Sequence, residues 1–221
     1  MTIIKLLCVF CLIFTSAVYS QFISDYGMKI GITASKSNFE YDPSINITEV
    51  PFDETRFSPN IGIFLRFLDL KNIDFETQLS YLQKGGENKF EITTIYQPDG
   101  TGEFLTFDIQ FDYTQLQLGI RPKYSTNKIE AYSYVGGSLD YLLGVKNIII
   151  PKDQFKDFVF GYAIAVGLSF NEILNNPIFL EVVYNSDISR VYRSENLEIK
   201  NSLWLFRVGV SLGRNKNHKS G

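Results

Sequence analysis

The sequence has little of the chemistry that most enzymes and metal proteins use. Its single histidine, His218, lies in a polar stretch near the C-terminus, and its two cysteines, Cys8 and Cys11, lie in the first apolar run. Histidine-based catalysis, histidine metal sites and a disulfide framework are therefore disfavoured. No glycine-rich phosphate loop is present, so no cofactor is predicted. The charge is close to balance, which gives no basic surface for nucleic acid.

Long apolar runs are also missing, except at the N-terminus. Residues Met1 to Ser20 contain one charge, Lys5, then the apolar run Leu6–Phe14 and the small-residue segment Thr15–Ser20. This order predicts a secretory signal peptide at residues 1–20. The run is shorter than the roughly 20 residues that a membrane-spanning helix needs. We expect the mature chain to begin near Gln21, without a thiol or a lipid anchor.

In the rest of the chain, apolar residues repeat with a period of two. Aromatic and aliphatic residues recur at every second position from Ser24 to Gly213, with Gly, Asn, Asp and Pro between the runs. In Phe158–Phe170 one face is wholly apolar and the other is made of Gly, Ala and Ser. The pattern predicts eight β-strands. They are expected at about Tyr26–Lys36, Ile61–Phe67, Asp74–Tyr81, Gln115–Tyr124, Ala131–Leu142, Phe158–Phe170, Ile178–Asn185 and Trp204–Leu212.

The connections between these strands alternate in length. Three are short, Asp69–Asn72, Ser125–Ile129 and Asn171–Asn176, and four are long, Ser37–Phe57, Gly85–Glu103, Leu143–Lys156 and Ser186–Ile199. Short periplasmic turns and long outer loops are typical of an outer-membrane barrel. We therefore predict an all-β, eight-stranded, antiparallel up-and-down transmembrane barrel at residues 21–213, with a polar tail at 214–221.

The second long connection has its own alternating pattern. It predicts a hairpin that projects beyond the membrane and turns at Pro98-Asp99-Gly100. Its strand edges could bind a partner by strand addition, and a surface loop without a partner is the favoured alternative. The apolar residues change parity between Tyr113 and Leu116, which a β-bulge would explain.

Two barrels fit this pattern, one with apolar residues outside and one with them inside. The second face of the strands is small and polar, which fits the narrow lumen of eight strands better than it fits a water-facing surface. A secreted lipocalin-like barrel that binds an apolar ligand is the alternative. Aromatic residues near the strand ends are predicted to form two interfacial girdles. These are Tyr81, Phe158, Tyr184 and Trp204 at the outer side and Tyr26, Phe67, Tyr124 and Phe170 at the inner side.

Seven charged residues are predicted on the lumen face, namely Lys29, Arg66, Glu76, Arg121, Lys123, Glu181 and Arg207. Charges in a narrow lumen must pair, because burial of an isolated charge is costly. Glu76 and Glu181 also fit a pair of carboxylates for acid–base catalysis, as in glycoside hydrolysis. A structural network of ion pairs is the favoured interpretation, and no catalytic or metal site is predicted.

The chain resembles the outer-membrane β-barrel family of Bacteroidota that is often called PorT-like or porin family. The resemblance rests on Gly27–Gly31, Gln78–Gly85, Tyr134–Gly137 and Leu180–Tyr184. The resemblance implies a location in the outer membrane. Some members of this family are components of secretion or assembly machines, so the resemblance also makes that role possible. We expect a non-enzymatic protein with a structural or binding role in its outer loops. A narrow passive pore is a further alternative, which the bulky lumenal candidates Phe64, Phe179, Leu203 and Leu205 disfavour.

Overall fold

The computed structural model describes residues 23–41, 54–70, 72–91, 102, 104–126, 128–146, 152–170, 176–193 and 197–213. The predicted signal peptide, the predicted turn at Pro98–Gly100 and the polar tail at 214–221 lie outside these ranges. No helix in the described part of the chain is long and apolar enough to cross a membrane.

Nine strands and one 3-10 turn make up the described structure. The strands are β1 Ile23–Tyr41, β2 Arg56–Leu70, β3 Ile73–Glu91, β4 Phe104–Ser125, β5 Ile129–Lys146, β6 Phe158–Phe170, β7 Ile178–Asp187, β8 Tyr192–Arg193 and β9 Leu197–Ser211. The 3-10 turn, Lys152–Gln154, lies between β5 and β6. All eight predicted strands are present, and the short β8 is an addition within the last long connection.

The sheet closes on itself. From β1 to β7 each strand pairs antiparallel with its neighbour along the chain. β7 then pairs with β9, β9 returns to β1, and β8 pairs only with β9. A circuit along paired residues starts at Tyr26 and returns to β1 at Lys36, ten residues further on. Such a stagger tilts the strands by roughly 35–45° and closes eight of them around a narrow interior.

The facing of the strands agrees with the predicted alternation. In β6 the residues Phe158, Phe160, Tyr162 and their successors at every second position are exposed, while most of the intervening small residues are buried. Exposed aliphatic and aromatic side chains cover the outer wall, and the lumenal charges are buried. A water-soluble barrel would have the reverse arrangement, so the outer wall is suited to contact with lipid.

The predicted β-bulge in β4 is wrong. β4 pairs with β3 without interruption from Pro122 to Phe104. The register shift is in β5 instead, where Leu143 is the extra residue between the partners of Asp112 and Tyr113. The parity change in the sequence has another cause, because Ile109, Phe111 and Tyr113 are fully buried and turn into the barrel.

The outer ends of the strands are longer than predicted, and there the polarity of the two faces is reversed. Along β1 the outward residues change from apolar, such as Ile30, to polar, such as Asn38. Residues on the inner face of this part are apolar and packed together, among them Phe39, Ile109, Phe111, Leu197 and Ile199. We call this part the outer extension: residues 36–41 of β1, 83–91 of β3, 104–113 of β4 and 197–202 of β9. Lys84 on the inner face and the exposed Phe104, Leu105 and Phe107 on β4 are exceptions. Otherwise its outside is polar and its inside apolar, as in a water-soluble barrel, so we infer that it lies beyond the lipid.

Candidate functional site

The structure places all seven predicted lumenal charges inside the barrel. They fall into two groups at different depths, each joined by carboxylates that were not singled out from the sequence. The central network consists of Asp25, Lys29, Arg66, Glu76, Glu181 and Arg207. The inner group consists of Asp74, Arg121, Lys123 and Glu130, close to the short turns. Both groups have equal numbers of cations and carboxylates.

The centre of the central network is Lys29 on β1. Its Nζ atom lies 2.6 Å from Glu76 Oε1 on β3 and 3.3 Å from Glu181 Oε2 on β7. Glu76 also accepts a hydrogen bond from Arg66 Nε at 2.9 Å, and Glu181 accepts one from Arg207. Arg66 continues the chain of pairs to Asp25 at 2.7 Å. Each carboxylate therefore has at least one cation, as buried charges require.

The inner group repeats this pattern nearer the short turns. Arg121 bridges Asp74 at 2.8 Å and Glu130 at 2.6 Å, and Lys123 reaches Asp74 at 2.5 Å. The guanidinium of Arg121 lies 3.7 Å from the ring centroid of Tyr132. A cation over an aromatic face is stabilised further where water is excluded.

Three aromatic rings, Phe64, Tyr132 and Phe179, fill the lumen beside the central network, and we call them the aromatic seal. Phe179 meets Phe64 edge to face with centroids 5.4 Å apart, and it lies 6.5 Å from Tyr132. Arg66 lies 4.5 Å from the centroid of Phe64, and the Tyr132 hydroxyl donates to Glu181 at 3.2 Å. The expectation that Phe64 and Phe179 point into the lumen is met, and all three rings are buried.

A third charged group, the outer triad of Lys84, Asp140 and Asp187, lies closer to the outer end of the barrel. Lys84 Nζ lies 2.6 Å from Asp140 and 2.5 Å from Asp187, and all three side chains are fully buried. Asp187 also accepts the backbone N–H of Asn201 at 2.9 Å. Sequence reasoning missed this triad, although Lys84 is in phase with the lumenal residues of its strand. Asp187 falls in the predicted connection Ser186–Ile199, and the lumenal charges predicted for the strands do not include Asp140.

Above the triad, an apolar plug closes the lumen. Phe155, from the connection between β5 and β6, turns inward and packs on Phe111 with centroids 5.4 Å apart and on Tyr192 at 5.3 Å. Backbone hydrogen bonds join the two connections that form this cover, including one from Lys156 to Val191. The members of the plug are Leu82, Ile109, Phe111, Tyr113, Leu142, Phe155, Val159, Val191, Ile199 and Leu203. The lumen is therefore closed at two levels.

The eight aromatic residues predicted for the girdles belong to the outward set of their strands. Tyr26, Tyr124, Phe158 and Trp204 are exposed, and the other four are partly covered by neighbours. Tyr184 and Trp204 are paired across β7 and β9, with ring centroids 5.0 Å apart. Phe67 and Phe75 stack at 6.2 Å near the opposite end. Tyr81 and Trp204 lie in the middle of β3 and β9, because these strands continue into the outer extension, and the two girdles stay a prediction.

The geometry bears directly on the possible catalytic pair, Glu76 and Glu181. Both carboxylates share the ammonium of Lys29, and each also binds an arginine. A general acid or base needs a proton that it can exchange with substrate within hydrogen-bond reach. Here the aromatic seal and the plug separate both groups from either opening. The described residues contain no group of three or more His, Cys, Asp or Glu side chains placed to hold a metal ion.

Comparison with models of protein families gives a match that covers most of the chain. A family model described as an outer membrane protein beta-barrel domain matches residues 19–192. No curated protein sequence matches significantly.

Among solved structures, the chain is similar to the Neisserial surface protein NspA, with 11% identity over 85% of this chain and 97% of that one, at a TM-score of 0.48. OprG from Pseudomonas aeruginosa gives 8% identity, 87% and 97% coverage and a TM-score of 0.49. The outer membrane protease OmpT from Escherichia coli gives 10% identity, 86% and 94% coverage and a TM-score of 0.41.

Proposed function

We propose, from the premise that this chain belongs to the outer membrane protein β-barrel domain family, that it is a closed, non-enzymatic barrel whose outer extension binds a protein partner. The protein lies in the outer membrane, which removes the secreted lipocalin-like alternative. The observation that supports the proposal best is the closure of the lumen at two levels, by the aromatic seal and by the apolar plug. A barrel without a passage has its outer surface available for function.

Closure also argues against the narrow pore. Ion conduction needs a continuous wet path, and rings such as Phe64, Phe179 and Phe111 occupy the cross-section of a lumen that eight strands already make small. The charges that might attract ions are neutralised by one another in the central network and the inner group.

We expect purified protein in planar lipid bilayers to show no stable conductance steps. A control variant, Phe155→Gly combined with Phe111→Gly, removes two rings of the apolar plug and leaves the aromatic seal in place. It is expected to remain closed as well. Steady single-channel openings of the unmodified protein would favour the pore and reject this part of the proposal.

The non-enzymatic assignment is supported by the environment of the two acids that the sequence singles out as a possible catalytic pair. Glu76 and Glu181 are bound to cations on every side and lie behind the seal. We propose that the central network and the inner group are structural, linking strands across the lumen, and that the outward aromatic residues anchor the barrel in the two interfaces of the membrane.

The partner site is proposed on the hairpin formed by β3 and β4. Their pairing continues far beyond the barrel, as far as Glu91 and Phe104. Phe104 and Leu105 are 62% and 50% exposed in the outer extension, where the surroundings are water. Exposed apolar side chains beyond the lipid favour a protein contact, and extended strands favour strand addition.

Replacing Phe104 and Leu105 with serine is expected to abolish binding of the partner while the barrel still forms. Barrel formation is read from the gel shift between unheated and boiled samples, and binding from crosslinks formed on intact cells. Asn38→Ser, an exposed position of β1 in the same extension, is the matched control and should keep the crosslinks. Unchanged crosslinking in the double serine variant would place the partner elsewhere.

The resemblance to PorT-like proteins suggests that the partner belongs to a secretion or assembly machine. Part of that resemblance is carried by the segment Gln78–Gly85. This segment contains Lys84 of the outer triad and Gly85, which has a positive φ and lies at the start of the projecting hairpin. A Cβ atom at Gly85 would lie 1.9 Å from the carbonyl oxygen of Ile109, so the hairpin needs glycine there.

A bacterial deletion strain that lacks this protein should retain secreted cargo in its periplasm. The double serine variant should fail to restore export, and restored export would instead favour an adhesive role.

A further inference from the structure

Between the aromatic seal and the apolar plug, the lumen wall contains buried polar atoms that no described residue satisfies. On β1, Gly31 is paired with Asn60 of β2 on one side and with Arg207 of β9 on the other. Thr33 is the next inward residue of β1. Thr33 is fully buried, and Asn60 and Arg207 are each 4% exposed. Within the described part of the chain, five of their atoms have no hydrogen-bond partner: Asn60 Nδ2 and Oδ1, Thr33 Oγ1, and Arg207 Nε and Nη1.

The strand register places these three residues next to one another. Asn60 and Arg207 flank one residue of β1 that has no side chain, and Thr33 lies two residues further along the same strand on the same face. Gln78 on β3, which is two strands away, adds a further unpaired acceptor, its Oε1 atom. The direct strand neighbours are mixed in size: Gly62 pairs with Ser80, whereas Leu82 pairs with Asn60 and Leu205 with Thr33.

Buried polar groups of native proteins are almost always hydrogen-bonded, to protein or to ordered water. Five unpaired atoms on three neighbouring side chains are therefore a sign of something bound. The set includes N–H donors on Asn60 and Arg207, an acceptor on Asn60, and a hydroxyl on Thr33 that is both. A ligand that donates and accepts at once fits this set.

The charges of the lumen decide between water and a small anion. Arg207 is already paired with Glu181, and the central network has three cations and three carboxylates. The outer triad on the other side has two carboxylates for one lysine. An anion would add negative charge to a region that has no free counter-charge, which is costly in a buried site. A neutral ligand is favoured.

We propose that Thr33, Asn60 and Arg207 form a binding site for ordered water, enclosed between the aromatic seal and the plug. A buried water makes about three hydrogen bonds, so five unpaired atoms call for about two molecules. Because both ends of the lumen are closed, these waters leave only when the interior opens. They complete the polar network of a barrel that is wet in the middle and does not conduct.

The test combines two variants with a direct measurement of water. Thr33→Val removes one unpaired hydroxyl without changing the size of the side chain, and Asn60→Leu removes two unpaired atoms. The unmodified protein in detergent micelles or nanodiscs is expected to show long-lived waters by magnetic relaxation dispersion, with nuclear Overhauser contacts from water to the Thr33 and Asn60 amides. The double variant Thr33→Val/Asn60→Leu should lose about two of these waters.

The direction in which each variant changes the stability of the barrel shows independently whether the site contains water. If water occupies the site, each variant removes a hydrogen-bond partner of that water, and the urea concentration at the midpoint of unfolding falls. If the site is dry, each variant removes an unsatisfied group and the midpoint rises. Absence of long-lived water in the unmodified protein, or a rise of the midpoint in both variants, would overturn the proposal. A variant that does not fold is detected by the gel shift, and the water measurement on the unmodified protein then decides alone.

Discussion

Replacing Lys29 with methionine is expected to lower the free energy of unfolding by about 3–5 kcal/mol, the range for removing one partner of a buried ion pair. The Lys29 ammonium is shared by Glu76 and Glu181, and its side chain is only 1% exposed. Without it, the central network keeps two arginines for three carboxylates, and the excess negative charge has no access to water. Urea unfolding of the barrel in lipid vesicles measures the loss.

A second substitution should return part of this stability. In Lys29→Met/Glu76→Gln the remaining pairs, Arg66 with Asp25 and Arg207 with Glu181, balance one another. The double variant is therefore expected to be more stable than Lys29→Met alone. Lys200→Met is the control, because Lys200 pairs with Glu40 in the outer extension where both side chains are partly exposed. Its effect should stay within about 1 kcal/mol. Equal losses for Lys29→Met and Lys200→Met would show that the network does not stabilise the barrel.

Arginine in place of Ile30 on the outer wall is expected to destabilise the barrel by about 2–4 kcal/mol, the range for a charge on the lipid face near the middle of the bilayer. Ile30 is 57% exposed and lies in the apolar part of β1. The cost comes from placing a charge in hydrocarbon, since the side chain has no contact inside the barrel to lose. The unfolding titration used for Lys29 reports it.

The matched control lies on the same strand and the same face. Asn38→Arg is eight residues further along β1, in the outer extension, and should change the stability by no more than about 0.5 kcal/mol, as ordinary surface substitutions do. The difference between the two arginines locates the edge of the lipid on β1. If both substitutions were neutral, the apolar wall would not face lipid.

The part of the fold that the sequence predicts well is the part that crosses the membrane. Lipid on one side and a narrow lumen on the other impose opposite requirements on alternate residues, so β6 can be read directly from Phe158 to Phe170. The same requirement identifies Lys29, Arg66 and Glu181 as lumenal. A charged residue that lies an even number of positions from small inward residues shares their face. It therefore points into the lumen, where it avoids the cost of contact with lipid.

The outer extension could not be assigned correctly from the sequence. The alternation of apolar and polar residues continues there, but the apolar residues face the interior and no longer the outside. Beyond the lipid the apolar residues move to the inner face, so the parity change in β4 between Tyr113 and Leu116 reads as an irregularity of the backbone. Alternation shows that two faces differ, and it does not show which of them is inside. The solvent outside the barrel decides that, and the solvent changes at the edge of the membrane.

The partners in the lumen are also beyond the reach of the sequence. Lys84 binds Asp140 and Asp187, which are 56 and 103 residues away along the chain. Asn60 and Arg207 become neighbours only because β9 closes the ring on β1. The apolar plug depends on Phe155, a residue of a connection that turns back into the barrel.

The sequence by itself determined the strands, their order along the chain and which residues of each membrane-spanning strand share a face, because these follow from alternation within short segments. The small and polar second face favoured the lumen for that face. The tertiary structure decided which charges meet, where the lumen closes and where unsatisfied polar atoms gather. Those features depend on the stagger of ten residues with which the ring closes, and that stagger brings together residues whose separation along the chain carries no local signal.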